Sequence, residues 1–328
     1  MVPKRSGELI IRVVPYIVII LFLLLLPSFA GLALVSLATK ILIYGLLVMS
    51  LDLLVGYTGL WAFGHAAFFG IAAYTSAILI VRFGVTNFWI TSLASLLLSL
   101  FAAALFGLIA LRVSQIYFLL ITLAMGQLVY GIVRTSAGQL GVMTGGSDGI
   151  GGVLYPDFGF CFSPNTYYYF TLAVVILCVF VMHRIVYSPM GYSLQGGRES
   201  EIRLRALGYN AWLYRYLAFL IAALFAAVSG ILYIYFNGYI SPDAIGVEAT
   251  GFLWLMIIIG GAGTLWGAFV GSAVLLALQY FVSTVTPERW PLIFGGCFIV
   301  AVVIFREGIF PKLSGLWSKV LNYDGIKS

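Results

Sequence analysis

Apolar runs dominate this chain, and polar positions gather in the short stretches between them. The runs recur along the whole sequence, and most reach the length of about 17 to 25 residues that a helix needs to cross a hydrocarbon core. The pattern predicts spans over roughly 13–30, 34–55, 65–81, 88–111, 116–134, 167–184, 216–236, 252–262, 265–285 and 291–306. The eighth is too short to cross alone. It is either a half-helix or one broken element with the ninth, so the expected span count is eight to ten. The expected fold is an all-α polytopic membrane protein, some helices broken or half-length, forming a single transmembrane domain over 1–328. No length remains for a separate soluble catalytic domain.

Composition agrees. Hydrophobic residues make up 62% of the chain and charged ones 9%, against about 25% charged in soluble domains. The first run, Val13 to Phe29, has two readings. Lys4, Arg5 and Arg12 with Pro27-Ser28-Phe29-Ala30 could form a signal peptide. A retained first helix is preferred, because the run exceeds a signal core and another span follows at once. Cys161, Cys178 and Cys297 are far apart and show no metal spacing.

The net charge of +6 reads as a topology signal, not as a nucleic-acid footprint. With ten spans and the N-terminus inside, the cytoplasmic side receives 13 Lys and Arg and the outer side four, namely Lys40, Arg82, Arg134 and Arg289. Inward-facing short loops are enriched in Lys and Arg, so both termini are expected in the cytoplasm.

Two long polar connections interrupt the apolar pattern. The first, about 135–166, would face outward and holds six glycines between Gly141 and Gly152. Its Gly145, Gly146, Ser147 and Asp148 suggest turn chemistry, a short helix cap or a contact with a partner. The second, about 185–215, would face the cytoplasm and carries six charged residues between Arg198 and Arg215. Ser188-Pro189 reads as a helix stop. A short helix from Arg198 to Leu207 should follow, closed by Gly208. Arg198, Glu201 and Arg205 would share one side of it, with Ile202, Ala206 and Leu207 nearer another. It is either a solvated linker or a docking helix for a cytoplasmic partner.

Two glycine-rich breaks look like cousins. Gly56, Thr58, Gly59 and Leu60-Trp61 parallel Gly260, Gly261, Gly263, Thr264 and Leu265-Trp266, at a separation of about 205 residues, a possible trace of internal duplication. Irregular backbone at membrane depth needs cover from protein or a water-filled cavity. Each break, with Gly64 beside the first, is therefore either a close helix crossing or a pathway-lining half-helix end that offers backbone groups to a zwitterion. His65 is either a functional intramembrane group or a histidine bonded to a carbonyl at a helix start. Asp52 is a carboxylate at a span's cytoplasmic end, placed to partner a nearby basic residue. His183 beside Arg184 marks a cytoplasmic interface, and Tyr167 to Phe170 fit an interfacial aromatic belt.

The charged connection also carries a resemblance. Ser188-Pro189-Met190-Gly191, Arg198-Glu199-Ser200-Glu201 and Ala206-Leu207-Gly208 resemble, at matching spacing, the coupling loop of bacterial branched-chain amino acid ABC-importer permeases. Leu54 to Gly59 with Gly64-His65-Ala66-Ala67-Phe68, Thr144 to Gly149, Ser241-Pro242-Asp243 and Gly260 to Gly267 resemble further motifs of that family, so the likeness extends over about 45–310. Within the class it is similar to the M-type subunit, the one with a long glycine-rich outer loop. The resemblance implies a second, homologous permease, two cytoplasmic ATPases holding ATP and Mg, and a periplasmic or lipid-anchored substrate-binding protein. It implies ATPase coupling through Arg198, Glu199, Glu201, Arg205, Ala206, Leu207 and Gly208. The usual substrates are leucine, isoleucine and valine; relatives move other amino acids, urea or short amides. Gln195-Gly196-Gly197 departs from the family pattern and should shorten or loosen the docking helix at its start.

The chain has no G-x-x-x-x-G-K-[ST] phosphate loop, so it is expected not to be an enzyme, to need no cofactor of its own, and to leave nucleotide to the partners. The resulting reading is the permease subunit of an ATP-driven amino-acid importer in the inner membrane. The rival is a stand-alone secondary transporter or channel. That would need coupling carboxylates within the spans, where Asp52 is the one acidic candidate. A membrane enzyme is the third option, and one intramembrane histidine with no paired acid or nucleophile argues against it.

Overall fold

The computed structural model describes residues 23–113, 115–153, 156 and 163–285, with 292–293, 295–296, 299–300 and 308–311. Most of the first predicted span, the tenth span and the charged residues near both ends lie outside these. Residues 23–29 are helical. The elements then follow as α1 (Leu32–Asp52), α2 (Ala66–Val81), α3 (Phe88–Ala110), α4 (Gln115–Arg134), α5 (Gly138–Thr144), α6 (Pro164–Val186), α7 (Pro189–Glu199), α8 (Glu201–Ala206), α9 (Ala211–Asn237), α10 (Val247–Gly260) and α11 (Leu265–Val285). The only sheet among the described residues is a two-residue ladder, β1 (Ile150–Gly151) antiparallel to β2 (Tyr239–Ile240).

Among the described residues, six helices are long and apolar enough to cross a membrane, at 32–58, 88–110, 116–134, 164–186, 211–237 and 265–284, and α2 and α10 are shorter apolar helices. The chain is thus an all-α polytopic membrane protein. The short α10 has 14 residues, about 21 Å of helix against a core of about 30 Å. It is neither a full span nor continuous with α11. The two helices form a tight hairpin, in which a Cβ on Gly260 would strike the Gly267 backbone and one on Gly271 would strike that of Met256. The missing depth before α10 is filled by β2 and the short 3-10 turn Pro242–Ile245. Ile245 of that turn packs on Gly70 of α2.

Helices α1 and α9 form the centre. Buried positions fill 56% of the apolar window of α1 and 67% of that of α9, but 28% of those of α3 and α4. Apolar side chains on the outer helices that face away from the bundle are what a lipid solvent permits. Where helices meet, hydroxyls and small residues replace bulk. Ser229 of α9 donates to the Ile43 carbonyl of α1 at 2.7 Å, Ser76 and Ser95 join α2 to α3 at 2.7 Å, and Thr91 meets Tyr235 at 2.6 Å. Tyr167 and Tyr168 are buried, not interfacial. Tyr167 donates to the Leu232 carbonyl at 2.7 Å and Tyr168 to that of Leu23 at 2.7 Å. Both side chains are turned into the bundle, so the aromatic belt expected of this run is left to its outward-facing member, Tyr169.

The 185–215 connection differs from expectation in three ways. Helix α6 does end at Val186, but Ser188-Pro189 then starts a new helix. Ser188 Oγ accepts from the Gly191 amide at 3.4 Å and proline occupies the first helical position, where its missing N–H costs nothing. Gln195-Gly196-Gly197 lies inside this helix. And the expected helix from Arg198 to Leu207 is two helices, broken at the extended Ser200, whose hydroxyl caps α8 by accepting from the Arg203 amide at 3.3 Å. Arg198 therefore does not share a face with Glu201 and Arg205. The end of α8 was legible: Gly208 has φ +86°, its amide bonds the Arg205 carbonyl and that of Tyr209 bonds Leu204, the paired bonds of a Schellman stop.

Candidate functional site

The two glycine breaks face each other. Helix α1 ends in a π-helical turn, Leu53–Thr58, followed by Gly59 at φ +72°. Such a turn widens the hydrogen-bond ladder and leaves carbonyls looking for other donors. Against it lies the 261–264 turn that joins α10 to α11, with Gly263 at φ +81°. A Cβ on Gly56 would strike both the Gly263 backbone and the Asp52 carboxylate. The close approach here is between a π-helical turn and the 261–264 turn, and each break covers the other.

Asp52 ties the two together. It is 1% exposed, and its Oδ1 accepts from the Gly263 amide at 2.7 Å. The partner expected for Asp52 was basic; its direct partner is a backbone N–H, with the Arg198 charge close enough to act on it electrostatically. An isolated ion so deeply buried would be costly, and the amide and the nearby cation offset only part of that cost.

Arg198 comes from the polar connection. It sits at the C-terminal end of α7 and its guanidinium donates to the Gly56 carbonyl. Its stem runs across Gly59, where an added Cβ would lie 2.9 Å from Cγ. Three stretches singled out in the sequence, the first break, the second break and the charged connection, thus meet at one point. Spacing gives no sign of this, since Ser188-Pro189 and the glycines that follow predict a loop where α7 lies.

Helix α8 hangs from this anchor and faces away from it. Leu204 is buried and packs toward Gly197 of α7. Glu201 bonds Arg205 at 2.5 Å and Arg215 of α9 at 2.7 Å, which fixes α8 to the base of α9. Ile202 is 83% and Leu207 75% exposed. Together with the exposed Ala206 they form a small apolar surface rimmed by Glu199, Arg203 and Arg205.

The remaining candidates fall elsewhere. Gly64 packs on α4, where a Cβ would strike the Thr122 carbonyl and come close to Gly126 one turn further along the same helix. His65 does not bond a carbonyl. Its Nε2 lies 2.8 Å from Ser50 Oγ, which itself donates to the Leu47 carbonyl at 2.6 Å. The serine proton being spent, Nε2 carries the histidine proton and Nδ1 is left unpaired among the described residues. Thr58 Oγ1 donates to the Leu54 carbonyl at 2.6 Å, within its own turn. At the opposite end of the bundle, Gly145 closes α5 in the left-handed region and Gly146–Asp148 form a 3-10 turn. Ser147 and Asp148 cap nothing; both are exposed, and the Asp148 carbonyl accepts from Tyr239 at 2.8 Å. This loop is pinned to the 238–246 connection by β1 and β2.

Sequence reasoning missed one cavity. Its volume is ≈ 410 Å³, and Tyr44, Phe69, Asp243, Glu248, Phe252 and Gln279 contribute to its wall. Asp243 was noticed only as part of a short motif. The available signal was an apolar segment too short to span, preceded by one acid and carrying another in its first turn.

Central helices covered by more exposed apolar ones, glycine-broken ends and a short helix with an exposed apolar tip at one end make an α-helical polytopic membrane protein. The chain belongs to the family described as branched-chain amino acid transport system / permease component, whose model matches residues 33–303. It is 29% identical over 302 residues to the high-affinity branched-chain amino acid transport system permease protein LivM of Salmonella typhimurium, covering 84% of this chain and 70% of that protein. Against LivM of Escherichia coli the identity is 26%, with 94% and 77% covered. A LivH permease of Salmonella typhimurium is 28% identical over a shorter stretch, 43% of this chain and 44% of that protein. No solved structure matches the chain.

Proposed function

We propose that this chain is the permease subunit of an ATP-driven importer of branched-chain amino acids in the cytoplasmic membrane. The Arg198 anchor carries the reading. A short helix with an exposed apolar tip is fastened by an arginine into the meeting point of α1, α10 and α11, so a push on α8 is delivered to the ends of three helices. Two cytoplasmic ATPases, holding ATP and Mg, dock on the α8 surface and on the equivalent helix of a second, homologous permease. The end carrying α7 and α8 faces the cytoplasm and both termini lie there, as the distribution of Lys and Arg favours. A binding protein delivers substrate at the α5–β1 end. No bond in the substrate is made or broken; ATP biases two access states of different affinity.

The test is reconstitution of the full complex in liposomes. Leucine uptake should require ATP, both ATPases and the binding protein. Uptake driven by an ion gradient through this chain alone would replace the importer with a secondary transporter.

A further inference from the structure

The ≈ 410 Å³ cavity is of the size that holds small ligands. Its base is aromatic: the Tyr44 ring lies 6.3 Å from Phe69 and 6.4 Å from Phe252. Asp243 and Glu248 bring two carboxylates to it, and Gln279 an amide. No Lys, Arg or His lines it among the described residues, so the local field is negative. The cavity also borders the start of α10. That helix has no side-chain cap at Gly246, and the amides of its first turn have no acceptor within the helix. Anions are favoured at such an end. One site thus offers acceptors for an ammonium, donors for a carboxylate and an apolar wall for a side chain.

Building on the permease reading, we propose that this cavity is a transient binding station for an apolar α-amino acid. Its ammonium is held by Asp243 and Glu248, its carboxylate faces the first turn of α10, and its side chain lies against Phe69 and Phe252. The zwitterion sought at the glycine breaks is accommodated instead at the start of the short helix.

The experiment is thiol protection in the reconstituted full complex. Ala249→Cys puts a reporter on the cavity wall, and wild-type chain labelled in parallel gives the background of the native cysteines. A cationic methanethiosulfonate should react about tenfold faster than an anionic one, because like-signed walls concentrate counterions. Adding Asp243→Asn or Glu248→Gln should remove most of that preference. Leucine at about four times its dissociation constant should slow labelling about fivefold, and 4-methylpentanoate, which lacks the ammonium, should not. Gln279→Cys repeats the measurement from another wall should the first variant fail to assemble. Equal rates for both reagents, or no protection by leucine, would overturn the proposal. Labelling is read without transport, so it fails separately from the importer reading, which is judged by ATP-dependent uptake in the same vesicles.

Discussion

Asp52 and Gly263 are 211 positions apart in sequence, and the carboxylate of one accepts the amide of the other at 2.7 Å. This bond joins the end of α1 to the turn between α10 and α11. It predicts a graded response at Asp52. Asp52→Asn keeps an acceptor oxygen and should hold the turn, whereas Asp52→Ala leaves a half-buried N–H unpaired, at a cost toward the lower end of about 1–3 kcal/mol. The midpoint of thermal unfolding in detergent should fall clearly for alanine and little for asparagine. Equal falls would show that the charge, not the hydrogen bond, is what matters.

The two glycines at this point should respond for different reasons. Gly59 sits at φ +72°, so Gly59→Ala costs about 1–2 kcal/mol of backbone strain and presses on Arg198. Gly56→Ala has no backbone objection, but its Cβ meets the Gly263 backbone, which cannot rotate away. Overpacking of this kind costs typically about 1–3 kcal/mol and sometimes more. A fluorescence-detected thermal melt of each variant should rank Gly56→Ala as the worse. A Gly56→Ala chain as stable as wild type would mean that the breaks do not touch as described.

Much of the fold was legible because lipid imposes a simple rule. Long apolar runs must be helices, and α3, α4, α6, α9 and α11 appear where the pattern places them. What was not legible is set by contacts between distant segments. Ser200 could not be recognised as a cap until Leu204 had a buried place against Gly197. Arg198 read as one more charge on an exposed helix because its acceptor, the Gly56 carbonyl, is freed only by the π turn. Glycine positions announced that something close happens at 56, 64 and 260, but glycine has no side chain to say with what.

The crossing of α2 and α4 gives a second graded pair. A Cβ on Gly64 would strike the Thr122 carbonyl, while one on Gly126 would sit 3.0 Å from the Gly64 Cα. Backbone obstructs both, but the second gap is wider and a small shift of α4 relieves it. Gly64→Ala should therefore lower the unfolding midpoint more than Gly126→Ala, and the double variant should be worse than the sum, since the sites share one contact. Additive effects in a two-variant cycle would separate the two glycines.

The connection between α6 and α9 makes the sharpest distinction, because the importer proposal puts docking and transmission on different residues. Ile202 and Leu207 are among the most exposed large apolar side chains of the described residues. Ile202→Asp or Leu207→Asp should leave the chain's thermal stability within about 0.5 kcal/mol, as surface changes do, yet prevent the ATPases from copurifying. Arg198→Ala should do the reverse: the α8 surface is intact and the ATPases remain bound, but the Gly56 carbonyl loses its donor and α7 its hold on the breaks. Basal ATP hydrolysis should then persist while its stimulation by the loaded binding protein, and leucine uptake with it, falls about tenfold or more, equivalent to about 1.4 kcal/mol of lost coupling. Arg198→Lys should recover only part, since a single ammonium on a flexible stem replaces a planar fork already aimed at the carbonyl. If Arg198→Ala instead releases the ATPases, then α7 and α8 act as one docking surface and the anchor has no separate role in transmission.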